Sequence, residues 1–535
     1  MLGTIVLSTV AGVCLGILGA AQDASAPIAV AASPGVAVPE ATLFAFDDHA
    51  IPMQEKLKLT LVQAEKCPDN PVVRTGPEGS PDYGHAIIYG SVLEIDGKFR
   101  MWYLGMFQRG YDGGQAPGWW RPMCYAESED GIHWTKPELG LVELNGNRRN
   151  NICLIEPEGS VLARVDDFLS VIYEPDDPDP SRRYKAAYIV HASQKDFPNG
   201  LRYVPNAQSI YAAVGCATSA DGFTWRVVGD QPAIPDNFEV SMLYRFGGFY
   251  YIGGQQKTPW AWRADGRDIG RIMNLYRSPD FVQWGTAKAF GFARPGQLTD
   301  PPVQGQQSHM GAGVWNRGNV LVGLYGMWND GPPEKPEGAP HLWNTRIDLG
   351  LVVSDDGIDF REPVPDFKAI PRGDEGDWDS LALVQGHAFA NVRDRTYVWY
   401  GHWDVQQKFR GQEIGLATLR RDGFGFLSRM YEGLPAHFVT SPVTAANGKC
   451  RLRINVEGAS ARNPVRVELL DALDRPIPGY SGGSAAVVKS SGTRANVTWH
   501  TSGGGLITLG EPFAARVELP AAGDVRVYAL YVEGK

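Results

Sequence analysis

Ser128-Glu-Asp-Gly-Ile-His-Trp134 decides the fold, because its pattern of residues recurs along the chain. The pattern is a serine, an Asp-Gly pair and an aromatic residue four positions after the aspartate. It reappears at 219–225 and 354–360, in a looser form at 278–284, and without the serine at 422–426. An Asp-Gly pair favours a tight β-turn. Five such turns predict five copies of one structural unit.

The residues that lead into each turn predict β-strands, because apolar and aromatic side chains alternate there between Gly, Asp and Asn residues. In the first copy, 90–95 and 99–103 flank Asp96-Gly97, and 123–127 runs into the repeated turn. A hairpin, a third strand, a turn and a fourth strand are typical of one blade of a β-propeller. The sequence therefore predicts an all-β fold built on a five-bladed β-propeller. A β-sandwich or an irregular β fold is the alternative, although sandwiches do not usually repeat one aromatic-anchored turn.

The chain divides by composition into four predicted segments. Residues 1–21 are apolar and end in small side chains, which predicts a signal peptide and a secreted or periplasmic protein; an uncleaved single-span anchor is the alternative. Residues 22–43 are rich in Ala, Pro and Val and are predicted to be a linker. The five units make 44–438 the predicted propeller and catalytic domain. Residues 439–535 alternate with period two but lack the turn, which predicts an accessory β-sandwich domain.

The composition excludes several classes of function. The net charge is −10, whereas nucleic-acid binding favours a basic surface, so no nucleic-acid partner is expected. The five cysteines beyond the signal peptide form no C-x-x-C pair and are expected to be buried thiols. The histidines lack the spacing of a zinc motif, and we predict neither a metal nor another cofactor. Beyond the N-terminus no stretch is apolar enough for stable membrane insertion.

Several short motifs add a family resemblance to this pattern: Asn70-Pro-Val72, Met101-Trp-Tyr103 and Arg182-Arg-Tyr-Lys185, together with the five turns. With them the chain resembles the β-fructosidase-type superfamily of glycoside hydrolases, which includes invertase-like, arabinanase-like and mannoside-phosphorylase-like groups. It is most similar to secreted bacterial invertase-like proteins of undefined substrate, which carry a C-terminal β-sandwich. The sequences of those sandwich domains resemble residues 465–472 and 476–479 of this chain. The resemblance implies hydrolysis of an O-glycosidic bond in a furanoside or related oligo- or polysaccharide.

Cleavage of a glycosidic bond needs one carboxylic acid and one carboxylate. In a propeller the strands nearest the axis bring such groups to a central funnel, so the acids ahead of each predicted first strand are the candidates. The first three units offer Asp82, Asp166 or Asp167, and Glu239. The resemblance implies that Asp82 is the nucleophile or base, that Asp167 orients the transition state, and that Glu239 is the acid. The alternative for each is a structural acid that forms a turn or caps a strand.

Further residues are candidates for contacts with the sugar, because they lie near the same strand ends or in a long Gly-rich loop. A structural histidine or a core aromatic residue is the alternative for most of them. The predicted substrate-binding set is His85, Trp119, Trp120, His309, Asp379, His387 and His402.

Three functions stay open at this stage. The first is a secreted glycoside hydrolase, which the three acids favour. The second is a glycan phosphorylase, which would need a cationic pocket for phosphate. The third is a non-catalytic propeller that binds glycans, because a fold by itself does not make an enzyme. Convergence of Asp82, Asp167 and Glu239 in one pocket would separate the first from the third.

Overall fold

The structure, a computed structural model, describes residues 26–108, 119–198, 211–234, 236–256, 269–330, 337, 343–404, 411–499 and 505–535. Within these ranges the regular structure is β-strand, apart from four short 3-10 helices at Val161–Ala163, Pro180–Arg182, Pro295–Leu298 and Gly482–Ser484. This confirms the predicted all-β class. In the same ranges no helix has the length and apolar character needed to cross a membrane. The signal peptide predicted at 1–21 lies outside the described residues.

Six strands precede the first repeat: β1 (Ile28–Val30), β2 (Ala37–Val38), β3 (Glu40–Phe44), β4 (Met53–Glu55), β5 (Leu57–Leu61) and β6 (Glu65–Lys66). The next strands fall into groups that we call units one to five. Unit one contains β7 (His85–Ile95), β8 (Lys98–Gln108), β9 (Trp119–Trp120) and β10 (Met123–Ser128). Unit two contains β11 (Leu154–Glu156), β12 (Asp167–Tyr173), β13 (Tyr184–Ala192), β14 (Tyr211–Ser219) and β15 (Thr224–Val227).

The remaining units repeat the order of hairpin, third strand and short fourth strand. Unit three contains β16 (Glu239–Phe246), β17 (Phe249–Gln256), β18 (Ile272–Ser278) and β19 (Ala289–Phe292). Unit four contains β20 (Gln307–Asn316), β21 (Leu321–Asp330), β22 (Thr345–Ser354) and β23 (Lys368–Ile370). Unit five contains β24 (Ala382–Val392), β25 (Arg395–Trp403) and β26 (Ile414–Arg420). Its fourth strand comes from the start of the chain, because β6 pairs antiparallel with β26.

The repeated turn joins neighbouring units. In the first copy the Ser128 hydroxyl accepts a hydrogen bond from the Gly131 N–H at 2.8 Å, and the Gly131 carbonyl accepts one from the Trp399 indole of unit five at 2.8 Å. In the second copy the Gly222 carbonyl accepts from the Trp102 indole of unit one at 2.7 Å. Glycine is needed at 131, because its φ is +76° and an added Cβ would lie 2.7 Å from Trp399. The recurring sequence therefore marks the places where one unit docks on the next.

The first strands of the five units contact one another in chain order. The Val171 N–H donates to the Ser91 hydroxyl at 2.8 Å, and the Leu243 N–H donates to the Ser170 hydroxyl at 3.1 Å. Units three and four meet where the Ala312 N–H donates to the Met242 sulfur. The side-chain amide of Gln385 in unit five donates to the His309 and Gly311 carbonyls in unit four, and β24 pairs with β7 of unit one, His387 facing Ser91. The succession of first strands thus returns to its start.

The C-terminal strands form two large sheets around an apolar core, except for the strand at 443–445, which joins β1 and β2 in a small third sheet. They are β27 (Gly425–Arg429), β28 (Ala436–Val439), β29 (Val443–Ala445), β30 (Lys449–Glu457), β31 (Val465–Leu470), β32 (Ala486–Val488), β33 (Gly492–Val497), β34 (Ile507–Thr508), β35 (Ala514–Leu519) and β36 (Arg526–Gly534). One sheet has the order β33-β30-β36-β27-β5, with β3 paired to β36 and β34 paired to β30. The other has the order β32-β31-β35-β28-β4.

The start of the described chain belongs to these C-terminal sheets. Strand β1 pairs with β29, β3 with β36, β4 with β28 and β5 with β27. Within the segment predicted as a linker, 22–43, residues 28–30, 37–38 and 40–43 are therefore strand. Its small apolar side chains suit this placement, because Ile28, Ala41 and Leu43 are buried in the C-terminal core. The predicted domain bounds themselves stay a prediction.

Candidate functional site

An irregularity in the first strand of every unit shapes one end of these strands. The pairing register shifts between Ile87 and Ser91, between Asp167 and Leu169, and at the corresponding places in units three, four and five. Such bulges bend a strand and re-aim its side chains, and they are common next to active sites. The polar residues at this level in units one to four are Tyr89, Asp167, Glu239 and His309, which we call the Tyr89 cluster.

Asp167 is the first residue of β12 and is held by an arginine from unit one. Its Oδ2 atom accepts a hydrogen bond from the Arg121 guanidinium, and its Oδ1 atom accepts one from the Phe168 N–H at 3.1 Å. Burial raises the pKa of Asp167 above its ordinary value, although the charge of Arg121 acts in the opposite direction. The carboxyl group is therefore fixed in position and only partly stabilised as an anion.

Glu239 is the first residue of β16 and is oriented by a chain of two hydrogen bonds. The side-chain amide of Gln255 on β17 donates to the Oε2 atom of Glu239. The Oε1 atom of Gln255 in turn accepts a bond from the Met310 N–H at 2.9 Å. Met310 lies in the bulge of unit four, with φ of +62°. Unit four thus fixes the orientation of the Gln255 amide, so that its nitrogen points at Glu239. One oxygen of Glu239 remains for other partners.

Tyr89 interacts electrostatically with both of these carboxyl groups. Its ring packs edge-on against Phe168 with centroids 4.3 Å apart, and its hydroxyl oxygen lies 3.4 Å from Nδ1 of His309. Burial raises the pKa of Tyr89 well above its usual range, and the charges of Asp167 and Glu239 raise it further. The Tyr89 side chain of unit one is therefore close enough to interact electrostatically with carboxyl groups of units two and three.

Aromatic rings and a second arginine complete this end of the strands. The His309 ring lies 5.2 Å from Trp328 and is stacked on Trp403 at 5.9 Å. The Arg271 guanidinium lies over the Trp328 ring, 4.6 Å from its centroid. Burial, assisted by the charge of Arg271, lowers the pKa of His309 well below its usual range, so this histidine is neutral near pH 7.

Asp82 is engaged within unit one. It is only 1% exposed. Its Oδ2 atom accepts from the Tyr103 hydroxyl at 2.8 Å and pairs with Lys136 at 2.5 Å, while Oδ1 accepts from Ser80 at 3.2 Å. A polar cavity of about 570 Å³ lies beside it, lined by the 76–82 loop and residues around Lys136.

Asp379 repeats this arrangement in unit five. It too is 1% exposed, and its Oδ2 atom accepts from the Tyr400 hydroxyl at 2.8 Å and pairs with Lys66 at 2.7 Å. In both units the tyrosine belongs to the second strand and the lysine to the outermost strand position. The structure thus brings Asp167, Glu239 and His309 together around Tyr89, and holds Asp82 and Asp379 inside their own units.

The other predicted contact residues lie in different surroundings. Nδ1 of His85 accepts a bond from the Gln412 N–H at 3.2 Å. His387 joins three units, since Nδ1 accepts from the Val314 N–H at 3.1 Å and Nε2 lies 3.0 Å from the Ser241 carbonyl oxygen. Burial lowers the pKa of His387 to about 4, so its bonds are those of a neutral ring.

His402 and the two tryptophans lie at the edges of units five and one. The His402 ring is 5.7 Å from Trp378, and burial lowers the pKa of His402 below its ordinary value. Trp120 is half-buried on β9, where it pairs with Phe107. The backbone of Trp119 belongs to the same strand, but its side chain lies outside the described residues. In the ranges that the structure describes, no three His, Cys, Asp or Glu side chains gather as a metal site.

Sequence reasoning missed Tyr89, Gln255 and Arg271. Tyr89 stands in the apolar run Ile87-Ile-Tyr-Gly and has the pattern of a core residue. Gln255 follows two glycines at the end of a second strand, and this polar ending was its one signal. Arg271 is positioned by stacking on Trp328, which belongs to another unit and is 57 residues away in the chain. Contacts between units decide all three positions, and no local pattern encodes such contacts.

The opposite ends of the first strands enclose a cavity of about 620 Å³. All five units contribute to its lining, among others with Glu94, Glu174, Arg245, Arg317 and Asn391. The first strands of the five units therefore surround one common space.

No family model and no curated protein sequence matches the chain. Among solved structures, a glycosyl hydrolase from Bacteroides ovatus has 12% sequence identity and a TM-score of 0.42, covering 68% of this chain and 94% of its own. The β-1,2-mannobiose phosphorylase from Listeria innocua has 13% identity, coverages of 66% and 96%, and a TM-score of 0.39. The Bombyx mori β-fructofuranosidase has 10% identity, coverages of 88% and 95%, and a TM-score of 0.36. At this similarity the solved structures assign no activity to the chain.

Proposed function

We propose that the chain is a glycan-active enzyme that hydrolyses an O-glycosidic bond at the Tyr89 cluster. The observation that carries the proposal is that Tyr89, whose ring packs on Phe168 next to Asp167, is close enough to both Asp167 and Glu239, from different units, for their charges to raise its pKa. Both residues open the first strand of their unit beside a bulge. Two carboxyl groups at one opening are the minimum that glycosidic cleavage requires.

The architecture proposed for this enzyme is a five-bladed β-propeller followed by a β-sandwich. In its support, the first strands contact one another in chain order and the fifth reaches the first. The cavity of about 620 Å³ lined by all five units supports the same arrangement. The outermost strand β6 would close the ring, because it completes unit five from the start of the chain. The two C-terminal sheets would form the sandwich.

In the proposed mechanism Glu239 is the general acid. Gln255 donates to one of its oxygens, which leaves the other oxygen to carry the proton that the leaving group receives. Asp167, held by Arg121, would then present the carboxylate that faces the anomeric carbon. The catalytic role predicted for Asp82 stays a prediction, and its bonds to Tyr103 and Lys136 weigh against it.

The substrate proposed is an oligo- or polysaccharide. The half-buried Trp403 places aromatic surface beside His309, and aromatic faces commonly pack against the apolar faces of sugars. The predicted signal peptide supports a secreted or periplasmic location. A phosphorylase would need a strongly cationic pocket; Arg121 is neutralised by Asp167, so hydrolysis is the reaction that the site favours.

The experiment is turnover of a glycan panel by the purified protein, with and without inorganic phosphate, followed by the same assay on variants. We expect Glu239→Gln to lower turnover on the order of 10²–10⁴-fold, the usual contribution of general acid catalysis. Glu94→Gln is the matched control, because Glu94 lies at the opposite end of the first strands and is exposed.

Three outcomes would contradict the proposal. Folded Glu239→Gln protein that keeps full turnover would remove the acid role. Tight binding of glycans without turnover of any of them would identify a binding module instead. Turnover that depends on phosphate would replace hydrolysis by phosphorolysis.

A further inference from the structure

Arg271 is a cation that packing and backbone bonds hold in place. Its guanidinium lies over the Trp328 ring at 4.6 Å. Its carbonyl accepts a bond from the buried Gln297 side chain at 2.9 Å, and its N–H donates to Gln307 at 3.3 Å. Across the part of the chain that the structure describes, no aspartate or glutamate forms an ion pair with Arg271. The donors of this guanidinium are therefore not claimed by a protein carboxylate there.

The neighbouring arginines differ in this respect. Arg121 pairs with Asp167, and Arg294, which is buried behind Trp328, pairs with Asp366 at 2.6 Å. Arginine presents its N–H groups as a planar fork that matches the two oxygens of a carboxylate. Because the Trp328 ring covers a face of the Arg271 guanidinium, this stacking does not occupy the edge that carries the donors.

Arg271 also lies close enough to act on the Tyr89 cluster. Its stacking partner Trp328 is 5.2 Å from His309, whose Nδ1 is 3.4 Å from the Tyr89 hydroxyl. The charge of Arg271 opposes, with that of Arg121, the rise in the pKa of Tyr89. A ligand bound among the carboxyl groups would therefore meet the positive charge of Arg271 at the edge of the same opening.

We propose that Arg271 recognises the carboxylate of an acidic sugar, a uronic acid residue, in the glycan bound at the Tyr89 cluster. The inference rests on the proposed function of this site and names its substrate class. Charge favours a monoanion over a dianion. Arg121 pairs with Asp167, and no carboxylate of the described residues pairs with Arg271, so the charge of Arg271 is left for the ligand. A carboxylate balances that charge, whereas a dianionic phosphate would face Asp167 and Glu239 with excess negative charge.

The experiment is calorimetric binding, which requires no turnover. The probes are the methyl glycosides of glucuronic and galacturonic acid, their neutral counterparts methyl glucoside and methyl galactoside, inorganic phosphate, and oligosaccharides from pectin, alginate and glucuronoxylan. We expect at least one acidic probe to bind at least tenfold more tightly than its neutral counterpart, and Arg271→Gln to remove that preference. Arg271→Lys keeps the positive charge but loses the planar fork of N–H donors, and it should retain part of the preference for the acidic probe.

Arg277→Gln is the matched control. Arg277 lies at the other end of β18, is exposed, and is also stacked on an aromatic ring, that of Phe249 at 4.9 Å. It should leave the preference unchanged. Thermal unfolding of each variant shows whether the fold is intact.

Four results would overturn the proposal: no acidic probe binds, neutral probes bind equally well, Arg271→Gln keeps the preference, or phosphate alone binds at this arginine. The test is independent of the proposed hydrolysis. If acidic glycans bind but are not cleaved, recognition by Arg271 is supported and the proposed hydrolysis is contradicted. If neutral glycans are cleaved and Arg271→Gln does not affect this cleavage, the proposed hydrolysis is supported and recognition by Arg271 is contradicted.

Discussion

Asp82 and Asp379 share a sequence signal with Asp167 and Glu239, an acid ahead of the first strand of a unit, yet the two pairs have different surroundings. Asp82 and Asp379 each stand three residues before their strands, β7 and β24. Asp167 and Glu239 are themselves the first residues of β12 and β16. In the first pair the carboxylate is bound by a tyrosine and a lysine of its own unit. In the second pair it is placed beside the bulge, where other units meet.

The difference shows that the distance from the strand, and not the presence of an acid, goes with how the carboxylate is held. Three additional residues allow a turn before the strand. The turn at 80–83 is closed by the bond from the Tyr83 N–H to the Ser80 carbonyl, and that at 377–380 by the bond from the Ser380 N–H to the Asp377 carbonyl. A carboxylate in such a turn lies over its own unit, within reach of the second strand.

The largest effect on stability that we expect from this comparison concerns the first pair. Asp82→Asn and Asp379→Asn should each lower the free energy of unfolding by about 3 kcal/mol, because each leaves a lysine without its partner in a largely buried site. Glu239→Gln, which breaks no ion pair with any of the described residues, should cost much less. Urea unfolding of the four proteins measures this. Equal losses in all variants would show that the two kinds of acid are not distinct.

A double variant sharpens the same prediction. Lys136→Met added to Asp82→Asn removes the unpaired cation while keeping an apolar stem of similar length. It should therefore be more stable than Asp82→Asn alone, because replacing both members of a buried pair costs less than removing one. Additive losses would mean that the Asp82–Lys136 pair contributes no coupling.

A smaller effect is expected from the tyrosines. The Tyr103 hydroxyl donates to Asp82 and accepts from Asn151 at 2.9 Å, and the Tyr400 hydroxyl donates to Asp379 and accepts from Asn70 at 3.2 Å. Tyr103→Phe and Tyr400→Phe should each cost about 1.5 kcal/mol, the value of a hydrogen bond to a charged group.

The two losses should be similar, because units one and five repeat the arrangement. Tyr173→Phe is a control from unit two, where the tyrosine ring stacks on Tyr184 at 4.6 Å. If Tyr103→Phe lowers the free energy of unfolding and Tyr400→Phe does not, the same hydrogen-bond geometry contributes differently to stability in units one and five.

The sequence predicted the all-β class and the turns that join units, because both depend on local patterns. Ser128, Asp130 and Gly131 form their turn with bonds to one another, so four residues suffice to recognise it. The strands β1 to β5 were not predicted. Apart from β2, which pairs with β1, they pair with strands about 370 to 490 residues later in the chain, and the small residues of 26–43 have no periodicity of their own.

The candidate site was predicted in part for the same reason. Asp167 and Glu239 were identified because each precedes a strand pattern. Asp82 also precedes a strand, but it stands three residues ahead of β7 and pairs there with Lys136, 54 positions away in the chain. Tyr89 could not be found, because a tyrosine inside an apolar run has the composition of a core residue in any single sequence.

The smallest effect is the pH dependence that Asp167 contributes. Its folded pKa is raised above the ordinary carboxyl value of 3.8, mainly by burial. The fold therefore favours the neutral form, so the stability from this group is complete below pH 3.8 and is lost as the pH rises through the folded pKa. Asp167→Asn removes this dependence. We expect its unfolding temperature, relative to that of the unsubstituted protein, to increase as the pH is raised from 3.5 to 7, whereas the exposed Asp374→Asn should show no such trend. A relative unfolding temperature that falls over this range would mean that the Arg121 bond outweighs burial, and Asp167 would then resemble Asp82 in its energetics as well as in its sequence.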